Sequence, residues 1–117
     1  MYRYECVVSN IEPLRLPSVY RVYCRCDKLD IVVEMHEEIM RINENENIVI
    51  EFLRDKNKCM ENDFCGKGYV VSVTKLDNGY RMIFSIGGLL VVIKNLDKPL
   101  EFNVMDQLYI GIMRKGQ

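Results

Sequence analysis

Phe84-Ser85-Ile86-Gly87-Gly88-Leu89-Leu90-Val91-Val92-Ile93 is an apolar run interrupted at its centre by two adjacent glycines. A glycine inside a strand gives up packing and costs backbone entropy, so a pair there requires a geometric reason. The expected reason is a sharp bend, at a barrel corner or where another backbone comes close, with the strand resuming as Leu89 to Ile93. Along that second half Leu89, Val91 and Ile93 point one way, and Leu90 and Val92 the other. A strand of a small antiparallel barrel needs only one apolar face. The second face therefore needs a cover, and the expected cover is another protein.

Upstream, Asp77-Asn78-Gly79-Tyr80 places Asn-Gly between alternating strands, the local signal of a tight two-residue hairpin. If Asp77 and Tyr80 flank the loop, Val73 faces Phe84, Val71 faces Ile86 and the Tyr69 ring lies over Gly88. In that register an aromatic covers the gap left by a strand glycine, making Tyr69, Gly87 and Gly88 one structural motif. The two-residue period recurs elsewhere. Strands are expected at Tyr2 to Val8, Val19 to Arg25, Leu29 to His36, Ile48 to Leu53 and Leu108 to Met113. On the second of these, Val22, Cys24 and Cys26 oppose Arg21, Tyr23 and Arg25. Asn10 to Pro17 is expected to end the first strand, and Asn43 to Asn47 forms a polar turn. Glu37 to Ile42 fits either one helical turn or continued strand, and Leu100 to Met105 has no clear type. Arg54 to Cys65 reads as the longest surface loop, and Gly66-Lys67-Gly68 as a bend before the strand Tyr69 to Lys75. About eight short strands with tight connections predict an all-β, antiparallel barrel, closed or nearly closed, with at most a short helical turn. No internal repeat is evident, and residues 1–117 read as a single domain.

The 117 residues are 49% hydrophobic and 28% charged, which suits one ordinary core. Sixteen basic against 17 acidic residues give a net charge of -1, so nothing in the charge balance draws the chain to phosphate or to an acidic surface. No leader pattern opens the chain and no apolar run reaches the roughly 18 residues of a membrane span. The expectation is an intracellular, soluble protein with no membrane contact.

Candidate chemistry is sparse. Five cysteines (Cys6, Cys24, Cys26, Cys59, Cys65) lack the spacing of a disulfide framework and favour free thiols in a reducing compartment; in a hyperthermophile, Cys59 and Cys65 would be the pair nearest in a shared loop. Cys24-x-Cys26 with His36, or Cys59-x5-Cys65, offers thiolate and imidazole ligands, but no Cys-x2-Cys knuckle supports a metal site. His36, the only histidine, reads as a solvated strand end rather than a general base, and no cysteine is marked as activated. No catalytic, cofactor or metal residue is expected, nor a small-molecule substrate. The pairs Tyr20/Arg21, Tyr23/Arg25 and Tyr80/Arg81 have the composition of a single-strand nucleic-acid face, yet solvated strands carry the same mixture. A neutral chain with acidic residues from Glu34 to Glu46 favours the second reading, leaving a weak nucleic-acid contact as the alternative.

Asp63-Phe64-Cys65-Gly66-Lys67-Gly68-Tyr69, then Ser85-Ile86-Gly87-Gly88-Leu89-Leu90, then Met105-Asp106-Gln107-Leu108-Tyr109 with a terminal Arg114-Lys115, form an ordered set covering about half the chain. The set resembles the eighth-subunit family of multisubunit DNA-directed RNA polymerases, most closely its archaeal version, the G subunit. The short Arg54 to Asp63 stretch, where eukaryotic members carry a long insertion, also looks archaeal. The resemblance implies a barrel of the oligonucleotide/oligosaccharide-binding (OB) type. It further implies a cytoplasmic, non-catalytic subunit docked outside the largest polymerase subunit, away from the catalytic magnesium, and supporting assembly. It gives the two-sided apolar strands a cause and makes Leu90, Val92, Tyr109 and Ile110 the expected partner-binding residues.

Overall fold

Eight strands close into one antiparallel barrel in a computed structural model that describes residues 1–115. The last two residues of the expected domain, Gly116 and Gln117, lie outside the described residues. In chain order the strands are β1 (Tyr2–Pro13), β2 (Val19–Cys26), β3 (Leu29–His36), β4 (Asn47–Leu53), β5 (Phe64–Leu76), β6 (Gly79–Ile86), β7 (Leu89–Leu96) and β8 (Gln107–Arg114), with one short helix, α1 (Lys56–Cys59), between β4 and β5. Around the barrel they run β1-β2-β3-β7-β6-β5-β8-β4. Alternate side chains meet on the axis, among them Val22, Ile31, Ile50, Phe52, Met82, Phe84, Ile93 and Ile112, all fully buried.

The order conceals a repeat that the residue pattern did not suggest. β1-β2-β3 form a meander and β4 returns beside β1; β5-β6-β7 form a second meander and β8 returns beside β5. Each half is a Greek key, a meander whose fourth strand lies against its first. The halves match residue by residue. Tyr4 pairs with Ile50 and Cys6 with Ile48, as Gly66 pairs with Ile110 and Gly68 with Leu108. The displacement is 62 positions for β1 to β5 (68 − 6) and 60 for the other strands (108 − 48). Where the halves meet, Ile31 faces Ile93 and Val33 faces Val91, the exchange a two-fold axis requires.

Even the irregularities repeat. β1 shifts register between Val8 and Asn10, and β5 between Val70 and Ser72. Val8 N–H donates to Glu46 O and its carbonyl accepts from Asn45 N–H; Val70 does the same with Asp106 and Met105. Asn45 (φ 66°) and Met105 (φ 75°) are both left-handed, and the Asn43 and Asn103 N–H groups donate to the carboxylates of Glu46 and Asp106. Leu100 to Met105, indefinite in sequence, is thus the second copy of the turn around Asn43, with Leu100 and Phe102 buried as Met40 and Ile42 are.

Several expectations are corrected here. Gly87 and Gly88 do not bend a strand; they are the turn of the β6–β7 hairpin. Both have positive φ (56° and 94°), as a two-residue type I′ turn requires, and no atom lies within 4 Å of where their Cβ atoms would be, so conformation rather than crowding selects glycine. The β5–β6 turn is Asp77-Asn78, with Leu76 opposite Gly79 (φ 121°), so Val73 faces Met82 rather than Phe84. The bulge after Val70 then sets Tyr69 opposite Ser85, not over Gly88, and sends Val70 and Val73 inward while Tyr69 and Val71 point out. Gly66 and Gly68 lie within β5, facing inward, where an added Cβ would collide with Ile86 or the Ser85 carbonyl. β1 continues through its bulge to Pro13, and Glu37 to Ile39 is a turn, neither helix nor strand. Cys6 and Cys26 are disulfide-bonded inside the barrel and Cys59 is bonded to Cys65, leaving Cys24 alone as a free thiol.

Candidate functional site

The outward residues of β7 lie on bare sheet. Val92 is paired with Val32 on one side and Ile83 on the other, and Leu90 with Ser85, which in turn faces Tyr69. Outward parity along β5, β6 and β7 therefore lines up Tyr69, Val71, Ile83, Leu90 and Val92 on one continuous outer face. Tyr69 and Val71 are each 46% exposed and Leu90 38%. The β3–β7 ladder ends at Val33 and Val91, and the Leu90 N–H beyond it donates to a Glu34 carboxylate oxygen at 2.9 Å.

β8 behaves differently. Ile110 is fully buried and packs in the barrel core between Phe52 and Gly66, so its side chain is unavailable from outside; the expectation that it binds a partner is corrected by strand parity. Tyr109 does face outward but is half-buried, beside Lys67 and Leu53. The outer sides of β4 and β8 are roofed by the segment between β4 and β5. α1 packs on both strands, capped at its start by Asp55, and Cys59 is fully buried. Asn62 Nδ2 donates to Glu51 and to the Cys59 carbonyl, both at 3.0 Å, and lies so close over Gly111 that a Cβ there would meet it at 2.3 Å. Val49, Glu51 and Leu53 are buried beneath this roof although they point away from the barrel axis. What read as surface loop is therefore the chain's own cover for one two-sided strand pair, while β7 has none.

The repeat supplies a comparison for the open face. Positions equivalent to Tyr69, Val71, Ile83, Ser85 and Leu90 carry Val7, Ser9, Tyr23, Arg25 and Asp30 in the first half. There Arg25 pairs with Asp30 at 2.8 Å, Arg21 bridges Glu12 and Glu34 at 3.2 and 3.5 Å, and the Tyr23 hydroxyl donates to Glu12. The same backbone thus tolerates an ion-paired exterior, and folding alone does not dictate the aliphatic one. Strands β5, β6 and β7 contain Lys67, Lys75, Arg81 and Lys94 but no Asp or Glu. That absence is a signal the sequence carries openly, as is the outward parity of Ile83 between Met82 and Phe84, which sequence reasoning passed over, whereas the bulge hides the parity of Val71.

The other candidates do not assemble into chemistry. Cys26 is bonded to Cys6, so Cys24-x-Cys26 supplies one thiol at most, and burial pushes the Cys24 thiol up to about 12, far from a reactive thiolate. Among the described residues no three His, Cys, Asp or Glu side chains are grouped to hold a metal. His36 Nδ1 accepts the Glu38 backbone N–H. Tyr20 is buried, its hydroxyl accepting from Ile42 N–H and donating to the Met40 carbonyl, and burial raises its pKa. Arg21 and Arg25 are held by carboxylates of the same face, so the Tyr/Arg pairs of β2 present no row of free cations. No helix among the described residues is long and apolar enough to cross a membrane.

Compared with known proteins, residues 1–115 match the family model that describes the G subunit of DNA-directed RNA polymerase. Relatives include proteins named DNA-directed RNA polymerase subunit Rpo8 from Saccharolobus solfataricus, 28% identical over 95% of this chain and 91% of the relative, and from Sulfolobus acidocaldarius, 28% identical over 95% and 96%. The Saccharolobus shibatae protein of that name is 28% identical over 93% and 90%.

Proposed function

The chain belongs to the G-subunit family of DNA-directed RNA polymerase, and from that premise we propose that it is a cytoplasmic, non-catalytic subunit of an archaeal RNA polymerase. The chain acts as a single OB-like barrel domain, described over residues 1–115, that docks on the largest subunit and supports assembly. Leu90 and Val92 form the centre of the contact, with Tyr69, Val71 and Ile83 around them.

The observation that carries this reading is the asymmetry between the two halves of the barrel. An exterior row of aliphatic side chains costs roughly 25 cal/mol for each Å² left in water, and the first half, which keeps Val7 and Val32 on this face, shortens that row with the Arg25–Asp30 ion pair at the positions of Ser85 and Leu90. Only a partner makes the aliphatic version favourable. Tyr109 is the β8 residue placed to extend the contact past Lys67, and Ile110 serves the core.

Affinity purification of the tagged chain from its own cells tests the proposal. Recovery in stoichiometric amount with the large polymerase subunits is expected; recovery of the chain without them overturns it.

A further inference from the structure

In the first half Arg21 is saturated by Glu12 and Glu34. Its equivalent in the second half is Arg81, and the equivalents of those two carboxylates are Thr74 and Lys94. The arginine has been kept and both of its acids have been lost. Arg81 Nε is buried and makes no hydrogen bond. Among the described residues neither Arg81, Lys94 nor Lys67 makes an ion pair. Lys67 itself stands where the first half has Glu5.

Arg81 and Lys94 share a notch of about 240 Å³ with Leu76, Asn78, Gly79 and Asn95. The backbone is reshaped there. β6 and β7 shift register between Tyr80 and Met82, opposite Asn95, which is left-handed (φ 70°), whereas its equivalent Met35 is ordinary strand. The carboxylate that could neutralise the notch from β3, Asp30, faces Lys94 in register but is taken by Arg25 at 2.8 Å and Asn95 Nδ2 at 3.2 Å. Two cations facing one concavity, one with a buried donor that makes no hydrogen bond, give the notch the charge and the donors that suit an anion.

We propose that this notch receives an aspartate or glutamate side chain from the protein surface that covers Leu90 and Val92. The inference rests on the docking reading above and adds what the partner must present: an apolar centre with a carboxylate at its margin. A guanidinium binds a carboxylate in a planar two-point contact, and Lys94 adds a second charge. A nucleic-acid phosphate is the competing anion. It is disfavoured because the ground next to the notch is mostly aliphatic, Ile83, Val92 and Leu90, and of the two tyrosines beside it, Tyr69 and Tyr23, the second has its hydroxyl held by Glu12 and shares its cleft with Glu34, whereas single strands bind by stacking on several rings along a basic groove.

The test measures binding of the full chain to polymerase assembled without it, across a range of sodium chloride concentrations. Arg81→Gln/Lys94→Gln is compared with Lys56→Gln/Lys58→Gln, which removes two charges from α1. The expected result is at least tenfold weaker binding and a flatter salt dependence for the notch variant, with the α1 variant unchanged; a thermal melt and Arg81→Lys, which keeps the charge but not the fork, separate recognition from folding. Wild-type binding with no change in the notch variant overturns the carboxylate site and leaves the docking reading intact. No wild-type binding overturns the docking reading itself. Salt-sensitive binding of an oligothymidylate by the chain alone, lost in the notch variant, makes the anion a phosphate and overturns the proposal, as does wild-type self-association lost in the same variant.

Discussion

Ser85→Arg/Leu90→Asp transplants onto the second half of the barrel an ion pair the first half already carries. Arg25 and Asp30 are direct partners across the β2–β3 hairpin, and Ser85 and Leu90 are direct partners across β6–β7. The free chain should scarcely notice. The native Arg25–Asp30 pair is exposed, such pairs contribute about 0–1 kcal/mol, and the added aspartate beside Glu34 is offset by the new arginine. A change under about 1 kcal/mol moves the melting temperature by about 4–8 °C at most. Docking should respond far more. Full burial of a leucine is worth about 1.5–3 kcal/mol, so covering the 38% of Leu90 that remains exposed contributes about 1 kcal/mol. Sealing two charges beneath an apolar partner adds several kcal/mol of desolvation that their mutual attraction offsets only in part. A loss of about 3 kcal/mol or more weakens association by over a hundredfold. Circular-dichroism melting and co-purification with the polymerase, run on one preparation, read both quantities. Undiminished co-purification would refute the docking face, and an unfolded variant would refute the equivalence of the two halves.

Other outcomes follow from the interior. Gly111→Ala should push Asn62 off Glu51 and lower stability by about 2 kcal/mol, the worth of a hydrogen bond to a partly buried charge, read as a fall in melting temperature; an unchanged melt would mean the roof is not held as described. Thiol titration without reductant should find no reactive group in the native chain and one, Cys24, after denaturation, rising to five with reductant; three or more reactive thiols before reduction would disprove the pairing. The Cys24 thiol stays protonated in the folded chain until about pH 12 but ionises near 9 when unfolded, so its burial favours folding below pH 9. That contribution is lost progressively between pH 9 and 12, and Cys24→Ala should flatten the alkaline decline in melting temperature; an identical decline would place Cys24 in water.

The residue pattern revealed the barrel because strand parity is a local property. Alternation in Val19 to Arg25 and Leu29 to His36 places Val22, Cys24, Ile31 and Val33 inside, and all four are there. Register was less accessible, since it depends on which residues of Asp77-Asn78-Gly79 take positive φ, and a one-step difference slides Val73 from Phe84 to Met82. The bulge after Val70 then inverts the parity of everything before it, which is why Tyr69 and Val71 point out and not in. Ile110 and Leu90 look alike in sequence, each within an apolar run on both faces. They differ in parity, Ile110 facing the barrel axis between Phe52 and Gly66 and Leu90 facing out, and the outer side of β8 is in turn closed by Asn62 and α1, a contact that no single strand's alternation reports. The repeat was hidden for a related reason: Tyr4 and Cys6 of one half are replaced by Gly66 and Gly68 in the other, with Ile86 filling the volume that Cys26 shares with Cys6 in the first half.

Because the two halves share hydrogen bonds, bulges and turns, they expose one backbone to two sets of side chains, and whatever the halves do not share is not required by the backbone. The interior passes that comparison: Met40 and Leu100, Ile42 and Phe102, Ile48 and Leu108 differ in shape but not in burial. The exterior fails it. Where the first half has acids at Glu5, Glu12, Asp30 and Glu34, the second has Lys67, Thr74, Leu90 and Lys94. Four carboxylates have gone from equivalent positions and Arg81 remains without either of its counterpart's partners. Solubility would be served by scattered changes of either sign. A loss weighted to acids on one face, four carboxylates against the single Arg25 that becomes Ser85, around aliphatic side chains left in water, is what a surface completed by an acidic, apolar partner requires.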